Sequence, residues 1–363
     1  MDISKLLNKN LISLKPYVAV EPPSFLADLS GLNENEIIKL NANENPYGAS
    51  PKLQRALNAY QSYHIYPDSK QMVARKALAE YVGISEDCIL MGAGADEIID
   101  LILRATLEEG NSVINCPPTF GMYSFGTHIN GGNLVEVPRD GNFDIDLARV
   151  KESISANTKV IFLTSPNNPT GNSVPDDVVL SLLEENIIVV VDETYFEFSG
   201  KTVVKLVEQH PNLVVLRTFS KWAGLAGLRV GYGIMSSFLV NFLMDIKNPY
   251  NLNVAAEVAL LTSLDDLSYL RGNLDIIIKE RERLFHSFLN ISGIFPHPSE
   301  ANFLLCDFAE GVSTKIYQGL ARMGIFVRYF DTPVLKDSLR ISVGTPKQND
   351  ILISAISDIL IKL

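Results

Sequence analysis

The sequence has little of what disulfide-bonded, membrane-spanning or nucleic-acid-binding proteins need. Three widely spaced cysteines in 363 residues, with no metal-ligand spacing, indicate reduced, buried thiols. No apolar run reaches about 18 residues, and the first ten residues lack the apolar centre of a signal peptide. The net charge of −11 argues against a nucleic-acid partner. We therefore expect a cytoplasmic protein with no membrane association and no metal site.

Short apolar runs alternate with amphipathic stretches between about residues 45 and 248. The runs are apolar throughout, which is typical of a mostly parallel sheet with helices on both faces. The predicted strands are 88–91, 112–116, 159–164, 187–191, 213–217 and 230–234, and predicted helices include 95–107 and 176–185. Residues 45–248 are therefore predicted to form a large α/β domain.

A smaller α+β domain is predicted from the remainder of the chain. Asn248-Pro249 interrupts the pattern, and a long helical region follows at 254–289. The later predicted elements are strands at 302–307, 325–328 and 339–343, a helix at 313–323 and a last helix from Asn349. Residues 1–44 have no core of their own, so we expect them to pack onto the domain formed by 249–363.

Polar residues follow the carboxyl ends of five predicted strands. They are Gly94-Ala95-Asp96, Pro118-Thr119-Phe120, Asn167-Asn168-Pro169-Thr170-Gly171, Asp192-Glu193-Thr194-Tyr195 and Ser220-Lys221. In an open parallel sheet, ligands bind in the crevice beyond the carboxyl ends of the strands. Five such groups at one edge predict a functional site.

An acid and an amine at this edge point to a particular chemistry. Asp192 directly follows an apolar strand, where a carboxylate is either a strand-end cap or the partner of a cation such as a pyridinium nitrogen. Lys221 follows another apolar strand and is either solvated or partly desolvated. A desolvated amine has the lowered pKa that Schiff-base formation requires.

A phosphate site is predicted next to these two residues. The run 92–96 lacks the third glycine of a dinucleotide-binding loop, which argues against a nicotinamide enzyme. It is interpreted instead as a glycine turn that opens the helix 95–107, whose free N–H groups can receive a phosphate. Ser220 and Arg229 can add a hydroxyl and a guanidinium. Phe120 could lie on an aromatic cofactor, although core packing is the simpler interpretation.

Several blocks of the sequence resemble the fold-type I aminotransferases, which use pyridoxal 5′-phosphate (PLP). These blocks are Thr218–Tyr232 around Lys221, Ser165–Gly171 and Asp192–Tyr195. The resemblance is closest to the histidinol-phosphate aminotransferases, through the blocks 14–17, 40–46, 66–68, 94–97, 117–119, 301–305 and 339–344. Together these blocks cover nearly the whole chain, so the resemblance implies the PLP-dependent transferase fold of type I.

The resemblance also implies how the cofactor is held. Lys221 would form the Schiff base, Asp192 would pair with the pyridinium nitrogen, and Phe120 would occupy the ring-stacking position where several relatives have tyrosine. The residues that would hydrogen-bond the ring oxygen O3′ are Asn168 and Tyr195. The groups that would hold the phosphate are the backbone at Ala95 and Asp96, Ser220, Arg229, and Tyr66 from the second subunit of a homodimer.

For the substrates, the resemblance implies transfer of the amino group of histidinol phosphate to 2-oxoglutarate, a step of histidine biosynthesis. Arg340 would bind the α-carboxylate of glutamate, and Arg328 and Tyr17 would assist toward the phosphate of histidinol phosphate. Asn43 receives no role. Residues 18–22 lack the Pro-Gly that is common in the family, which leaves the N-terminal lid and the specificity less defined.

Other functions fit the same residues. Transamination of aromatic amino acids, or decarboxylation of a phosphorylated amino acid, would use the same lysine and cofactor. A non-enzymatic PLP-binding sensor would be expected to carry a DNA-binding or partner-binding segment, and no basic N-terminal helix-turn-helix is visible. Turnover of histidinol phosphate, phenylalanine and threonine phosphate would distinguish the enzymatic alternatives.

Overall fold

Two β-sheets form the framework of the chain. The structure is a computed structural model that describes residues 1–12, 14 and 16–363, so Lys15 of the block 14–17 lies outside the described residues. The strands in chain order are β1 (Ile38–Leu40), β2 (Ile89–Ala93), β3 (Ser112–Asn115), β4 (Asn133–Glu136), β5 (Thr158–Thr164), β6 (Ile188–Asp192), β7 (Leu213–Thr218), β8 (Val230–Met235), β9 (Phe295–Pro296), β10 (Phe303–Asp307), β11 (Ile325–Tyr329) and β12 (Ser338–Ser342).

Helices connect the strands and cover the sheets. In chain order they are α1 (Lys9–Ile12), α2 (Pro23–Ser30), α3 (Lys52–Ala59), α4 (Met72–Val82), α5 (Ala95–Thr106), α6 (Met122–Ile129), α7 (Leu147–Ser153), α8 (Asp176–Leu183), α9 (Phe196–Ser199), α10 (Ser237–Ile246), α11 (Val254–Asp265), α12 (Leu267–Leu289), α13 (Val312–Arg322) and α14 (Pro346–Ile361). Within the described residues, no helix combines the length and the apolar character needed to cross a bilayer.

The larger sheet has seven strands in the order β2-β8-β7-β6-β5-β3-β4. Strands β3 to β7 pair in parallel, whereas β8 runs antiparallel to both of its neighbours. Successive strand residues belong to two different hydrophobic clusters: Val189 and Val191 lie in one, and Val190 lies in the other. Apolar packing therefore covers both faces, which confirms the predicted α/β fold with a mostly parallel sheet.

The six strands predicted for this sheet are present, and the differences lie at their ends and at the sheet edge. Cys88 belongs to a short 3₁₀ helix, Glu86–Cys88, and β2 begins one residue later. The edge strand β4 was not predicted. Its two end residues, Asn133 and Glu136, are exposed, so the sequence has no continuous apolar run there.

The helical region predicted at 254–289 is two helices. Asp266 separates α11 from α12, with φ −122° and ψ 32°. Its carboxylate accepts a hydrogen bond from Ser50 and pairs with Lys52, so the residue is held outside the helical geometry by contacts with α3 and the turn before it. The last helix starts at Pro346, earlier than predicted, because Thr345 and Gln348 form a capping box.

The smaller sheet has five strands in the order β1-β11-β12-β10-β9. β1 comes from the N-terminal arm and pairs in parallel with β11, whereas the other pairs are antiparallel. α12 contributes to two cores, since Ile277 packs under the larger sheet and Phe288 packs in the core of the smaller sheet. The division into a domain of residues 45–248 and a domain of residues 1–44 plus 249–363 remains our proposal.

Candidate active site

A cavity of about 820 Å³ lies at the carboxyl edge of the larger sheet, with the smaller sheet lining its other side. Residues that follow β2, β3, β5, β6 and β7 all line it, as predicted for groups at the carboxyl ends of these strands. The predicted site residues that line the cavity are Tyr17, Ala95, Asp96, Phe120, Asn168, Asp192, Tyr195, Ser220, Lys221, Arg229, Arg328 and Arg340. Lys221 and Asp192 therefore face one space.

The Lys221 amine is held by the backbone of the N-terminal arm. Its Nζ donates a hydrogen bond to the carbonyl of Ala42 at 3.0 Å. Burial lowers the pKa of Lys221 to about 8, and the positive charge of Arg340 acts in the same direction. The next peptide is fixed as well, because the side-chain amide of Asn45 donates to the carbonyl of Trp222 at 2.7 Å. Lys221 is therefore a positioned amine that loses its proton more readily than a solvated lysine.

Asp192 is the last residue of β6 and is only 3% exposed. Its Oδ2 accepts a hydrogen bond from the Tyr123 hydroxyl at 2.7 Å, and its Oδ1 accepts from the N–H and hydroxyl of Thr194 at 3.0 and 2.6 Å. Burial raises the pKa of Asp192, although these hydrogen bonds favour the ionised form. All three donors are neutral, so the carboxylate suits a cationic ligand group.

Tyr123 and Thr194 were not predicted as site residues. Thr194 stands two residues after Asp192, a spacing at which a threonine hydroxyl can reach the carboxylate. Tyr123 comes from α6 and is fully buried, with its ring stacked on Phe162 at 4.5 Å. No local pattern distinguishes this tyrosine from a core residue, because its contact with Asp192 spans 69 positions.

Tyr195 is buried and lines the same cavity as Lys221 and Asp192. Its hydroxyl oxygen accepts a hydrogen bond from the side-chain amide of Asn43 at 2.8 Å. Burial raises the pKa of Tyr195 to about 12, so the phenol is protonated at neutral pH. Because Asn43 is the donor in this bond, the phenol proton is available to an acceptor in the cavity.

Asn43, which received no role from the sequence, is a fixed point of the site. It is 1% exposed and has a left-handed backbone with φ 55°, a conformation that asparagine tolerates better than most residues. Its Oδ1 accepts from the Ser342 hydroxyl at 2.9 Å, and its carbonyl accepts from the Asn302 side chain at 3.0 Å. The feature of the sequence that could have indicated this role is the group of three closely spaced asparagines at 41, 43 and 45.

Two arginines of the smaller sheet line the cavity. Arg328 on β11 and Arg340 on β12 are direct partners in the antiparallel pair, so their side chains share a face. Arg340 donates to Asn168 Oδ1 and to the carbonyl of Asn41, both at 2.6 Å, and its buried Nε has no partner within the described residues. Burial lowers the pKa of Arg340 to about 10. Two adjacent guanidiniums with neutral partners favour an anionic ligand.

The start of α5 is built to receive a phosphate. Gly94 precedes the helix with φ 81°, and no side chain caps the free N–H groups of the first turn. β8 runs in the opposite direction to its neighbours, so Arg229, just before it, lies at the same edge and bonds to Asp96 Oδ2 at 2.6 Å. A Cβ on Gly94 would collide with the Arg229 guanidinium, so glycine lets this guanidinium lie against the start of the helix. Ser220 adds a hydroxyl.

Two predicted aromatic residues lie in different surroundings. Phe120 lines the cavity, with its ring edge-on to Tyr17 at 6.3 Å and to Tyr123 at 5.6 Å. Tyr66 is 77% exposed, stacks on Tyr250 at 4.4 Å and does not line the cavity of its own chain. Its predicted contact with the phosphate of a second subunit stays a prediction.

A buried ion pair stands behind the site. Glu193, which follows Asp192, accepts hydrogen bonds from Arg217 at 2.9 and 3.0 Å, and both residues are 2% exposed. Arg217 also donates to the Thr202 hydroxyl at 2.7 Å. The pair anchors the chain immediately after the strand that presents Asp192.

The residues around the cavity fit PLP. A positioned amine can react with the aldehyde, a buried carboxylate suits the protonated ring nitrogen, and an open helix N-terminus with Arg229 and Ser220 suits the phosphate. Tyr195 retains a proton that a ring oxygen could accept. The aldehyde, the ring nitrogen, the ring oxygen and the phosphate of the cofactor thus each have a chemically matched partner at one site.

Comparison with known proteins agrees with this fit. Residues 35–356 match the family described as aminotransferase class I and II. The chain is 47% identical to a histidinol-phosphate aminotransferase of Roseiflexus castenholzii over 98% of this chain and 99% of that protein. It is 42% identical to one of Dehalococcoides mccartyi over 98% of both chains. A crystal structure of histidinol-phosphate aminotransferase from Sinorhizobium meliloti in complex with pyridoxal-5′-phosphate superposes with a TM-score of 0.89 and 27% identity, covering 98% of both chains.

Proposed function

Because the chain belongs to the class I and II aminotransferase family, we propose that it transfers the amino group of histidinol phosphate to 2-oxoglutarate. The products would be imidazole acetol phosphate and glutamate, a step of histidine biosynthesis. Its cofactor is pyridoxal 5′-phosphate. The observation that carries the substrate proposal is the adjacent pair Arg328 and Arg340 in the same cavity as Lys221, since both substrates carry an anionic group.

We assign the cofactor contacts to residues that line the cavity. Lys221 would hold the aldehyde carbon, Asp192 the ring nitrogen, and Asn168 and Tyr195 the ring oxygen. The phosphate would be held by the N–H groups of Ala95 and Asp96, Ser220 and Arg229. When bound, PLP supplies a carbonyl group for the substrate amine and a ring that accepts the electrons left at Cα.

The protein residues would supply the proton transfer and the charge balance. The Lys221 amine, whose pKa burial lowers to about 8, would remove the proton at Cα near neutral pH. Asp192, held by Tyr123 and Thr194, would keep the ring nitrogen protonated. Tyr195 would donate its proton toward the ring oxygen, because Asn43 already bonds to its lone pair.

The substrate contacts follow from charge. Arg340 would bind the α-carboxylate of glutamate, and releasing Asn168 and the Asn41 carbonyl would free its guanidinium for this bond. Arg328 and Tyr17 would assist toward the phosphate of histidinol phosphate. We further propose a cytoplasmic homodimer in which each Tyr66 completes the phosphate site of the other subunit; its ring is exposed and available for such a contact.

A half-reaction screen tests the proposal. The PLP form is mixed with histidinol phosphate, phenylalanine or threonine phosphate, and its conversion to the pyridoxamine form is followed by absorbance. We expect histidinol phosphate to convert the cofactor fastest, and glutamate to do so as well. Lys221→Ala is the matched control and should convert with none of them. Faster conversion by phenylalanine, or loss of CO₂ from threonine phosphate, would replace the proposed substrate by the corresponding alternative.

A further inference from the structure

The two walls of the cavity differ in charge and in hydrogen-bonding character. The wall from the smaller sheet carries Arg328 and Arg340. The facing edge of the larger sheet contributes Asn115, the last residue of β3, and Glu136, the last residue of β4. Asn115 and Glu136 are partners in the parallel pair β3–β4, so their side chains leave the sheet on the same face, side by side. The second wall therefore presents oxygen acceptors.

Asn115 is an acceptor without a donor. The residue is 4% exposed, yet its Oδ1 is buried and has no hydrogen-bond partner among the residues that the structure describes. Leaving such an atom unpaired inside a protein costs free energy, so it calls for an explanation, and Asn115 is one of the residues that line the cavity. The neighbouring Glu136 carboxylate is exposed and makes no ion pair with any described side chain.

We propose that Asn115 Oδ1 and the Glu136 carboxylate form a subsite that accepts the N–H groups of the imidazole ring of the amino donor. This proposal rests on the proposed function, because histidinol phosphate is the substrate that carries such a ring. An imidazole has one N–H donor when neutral and two when protonated, which matches two adjacent acceptors. The phosphate at the other end of the molecule matches the two arginines.

The subsite also separates the two substrates of the reaction. Glutamate has a carboxylate where histidinol phosphate has its ring, and the negative charge of Glu136 would repel it. The wall with Arg328 and Arg340 can bind an anionic group of either substrate. The wall with Asn115 and Glu136 can bind only the amino donor whose ring carries N–H groups. A phenyl ring of the same size offers no N–H and would leave Asn115 Oδ1 unpaired.

Glu136→Gln is the sharpest test, because residue 136 is exposed at the sheet edge and its replacement should not disturb the fold. The half-reaction is measured with histidinol phosphate, with phenylalaninol phosphate, which has a phenyl ring in place of the imidazole, and with glutamate. Glu109→Gln, a charge change in an exposed loop before β3, is the matched control. Asn115→Ala is the second variant, and its thermal melting is compared with that of the wild type.

We expect Glu136→Gln and Asn115→Ala each to raise the apparent Kd of histidinol phosphate roughly tenfold, the usual value of a hydrogen bond that involves a charged or buried group. The limiting rate and the apparent Kd of phenylalaninol phosphate should stay within about twofold, because a phenyl ring makes no such bond. The apparent Kd of glutamate should fall in Glu136→Gln, because the charge that repels its carboxylate is removed, and should stay within about twofold in Asn115→Ala. Glu109→Gln should match the wild type throughout. Equal losses for both ring analogues, or no loss in the Glu136 variant, would overturn the subsite.

The outcome distinguishes the subsite from the proposed function. If the wild type converts histidinol phosphate, but Glu136→Gln changes the apparent Kd of histidinol phosphate no more than that of phenylalaninol phosphate, the function stands and the subsite is wrong. If the wild type fails to convert histidinol phosphate while glutamate still reacts, the proposed donor is wrong and the subsite is rejected with it.

Discussion

The amine of Lys221 is expected to titrate near pH 8 in the protein freed of its cofactor. Burial is the main cause of the lowered pKa, and the charge of Arg340 is the second. Arg340→Gln removes that charge, so the pKa of Lys221 should rise. Arg340→Lys keeps a positive charge in the same region and should leave the pKa closer to that of the wild type.

The lowered pKa changes the supply of uncharged amine by orders of magnitude. With a pKa of about 8 in place of 10.5, roughly one Lys221 in ten is uncharged at pH 7 instead of about one in 3,000, a gain of about 300-fold. Only the uncharged amine attacks an aldehyde. The rate of cofactor attachment should therefore rise about tenfold per pH unit below pH 8 and level off above it.

Stopped-flow absorbance after mixing PLP with the cofactor-free protein measures this rate between about pH 6 and pH 10, the range that brackets the lowered pKa. The same series with butylamine corrects for titration of PLP itself, and Lys221→Ala reports attachment to other lysines. A rate that levels off only near pH 10, or one profile shared by the wild type and Arg340→Gln, would refute the argument.

Three further substitutions test other parts of the site. Gly94→Ala should weaken PLP binding at least tenfold, because its Cβ would displace the Arg229 guanidinium that we assign to the phosphate. Gly110→Ala, with φ 89° and no neighbour within 4 Å, should lower only thermal stability, and equal PLP Kd values for the two variants would contradict this. Tyr123→Phe removes a hydrogen bond that lowers the pKa of Asp192, so the acid limb of kcat/KM should move to higher pH by about one unit; an unmoved limb would exclude the role. Arg217→Met leaves its buried glutamate partner unpaired and should cost about 3–5 kcal/mol in urea unfolding; a loss below about 1 kcal/mol would mean that the pair is not needed.

The sheet and its functional edge follow from the sequence because short-range patterns encode them. Continuous apolar runs mark the inner strands, and a parallel sheet brings their carboxyl ends together, so Asp192 and Lys221 were predicted to meet although 28 other residues separate them. Asp192 directly follows one such run, and Lys221 lies four residues after the end of another. The directions of the strands then determine which side chains share a cavity.

The supporting contacts could not be predicted in this way. Asn43 bonds to Tyr195 across 152 positions and to Ser342 across 299, and no local pattern encodes a pairing of that length. Likewise, Asn115 and Glu136 become neighbours only once β4 is placed beside β3. β4 has exposed ends and no continuous apolar run, so its register with β3 could not be read from the sequence.

Five consecutive residues, 41–45, connect most of the chemical groups of the site. Their backbone carbonyls accept from Arg340 and Lys221, and their side chains donate to Tyr195 and to the carbonyl of Trp222. This one peptide segment thus fixes the distances between the Lys221 amine, the Tyr195 phenol and the Arg340 guanidinium. A single-residue insertion within it would move several of these groups out of register at once. We therefore expect insertions and deletions to be tolerated elsewhere in this enzyme but not within residues 41–45. Circular permutants opened between residues 41 and 45 should be inactive even when they fold.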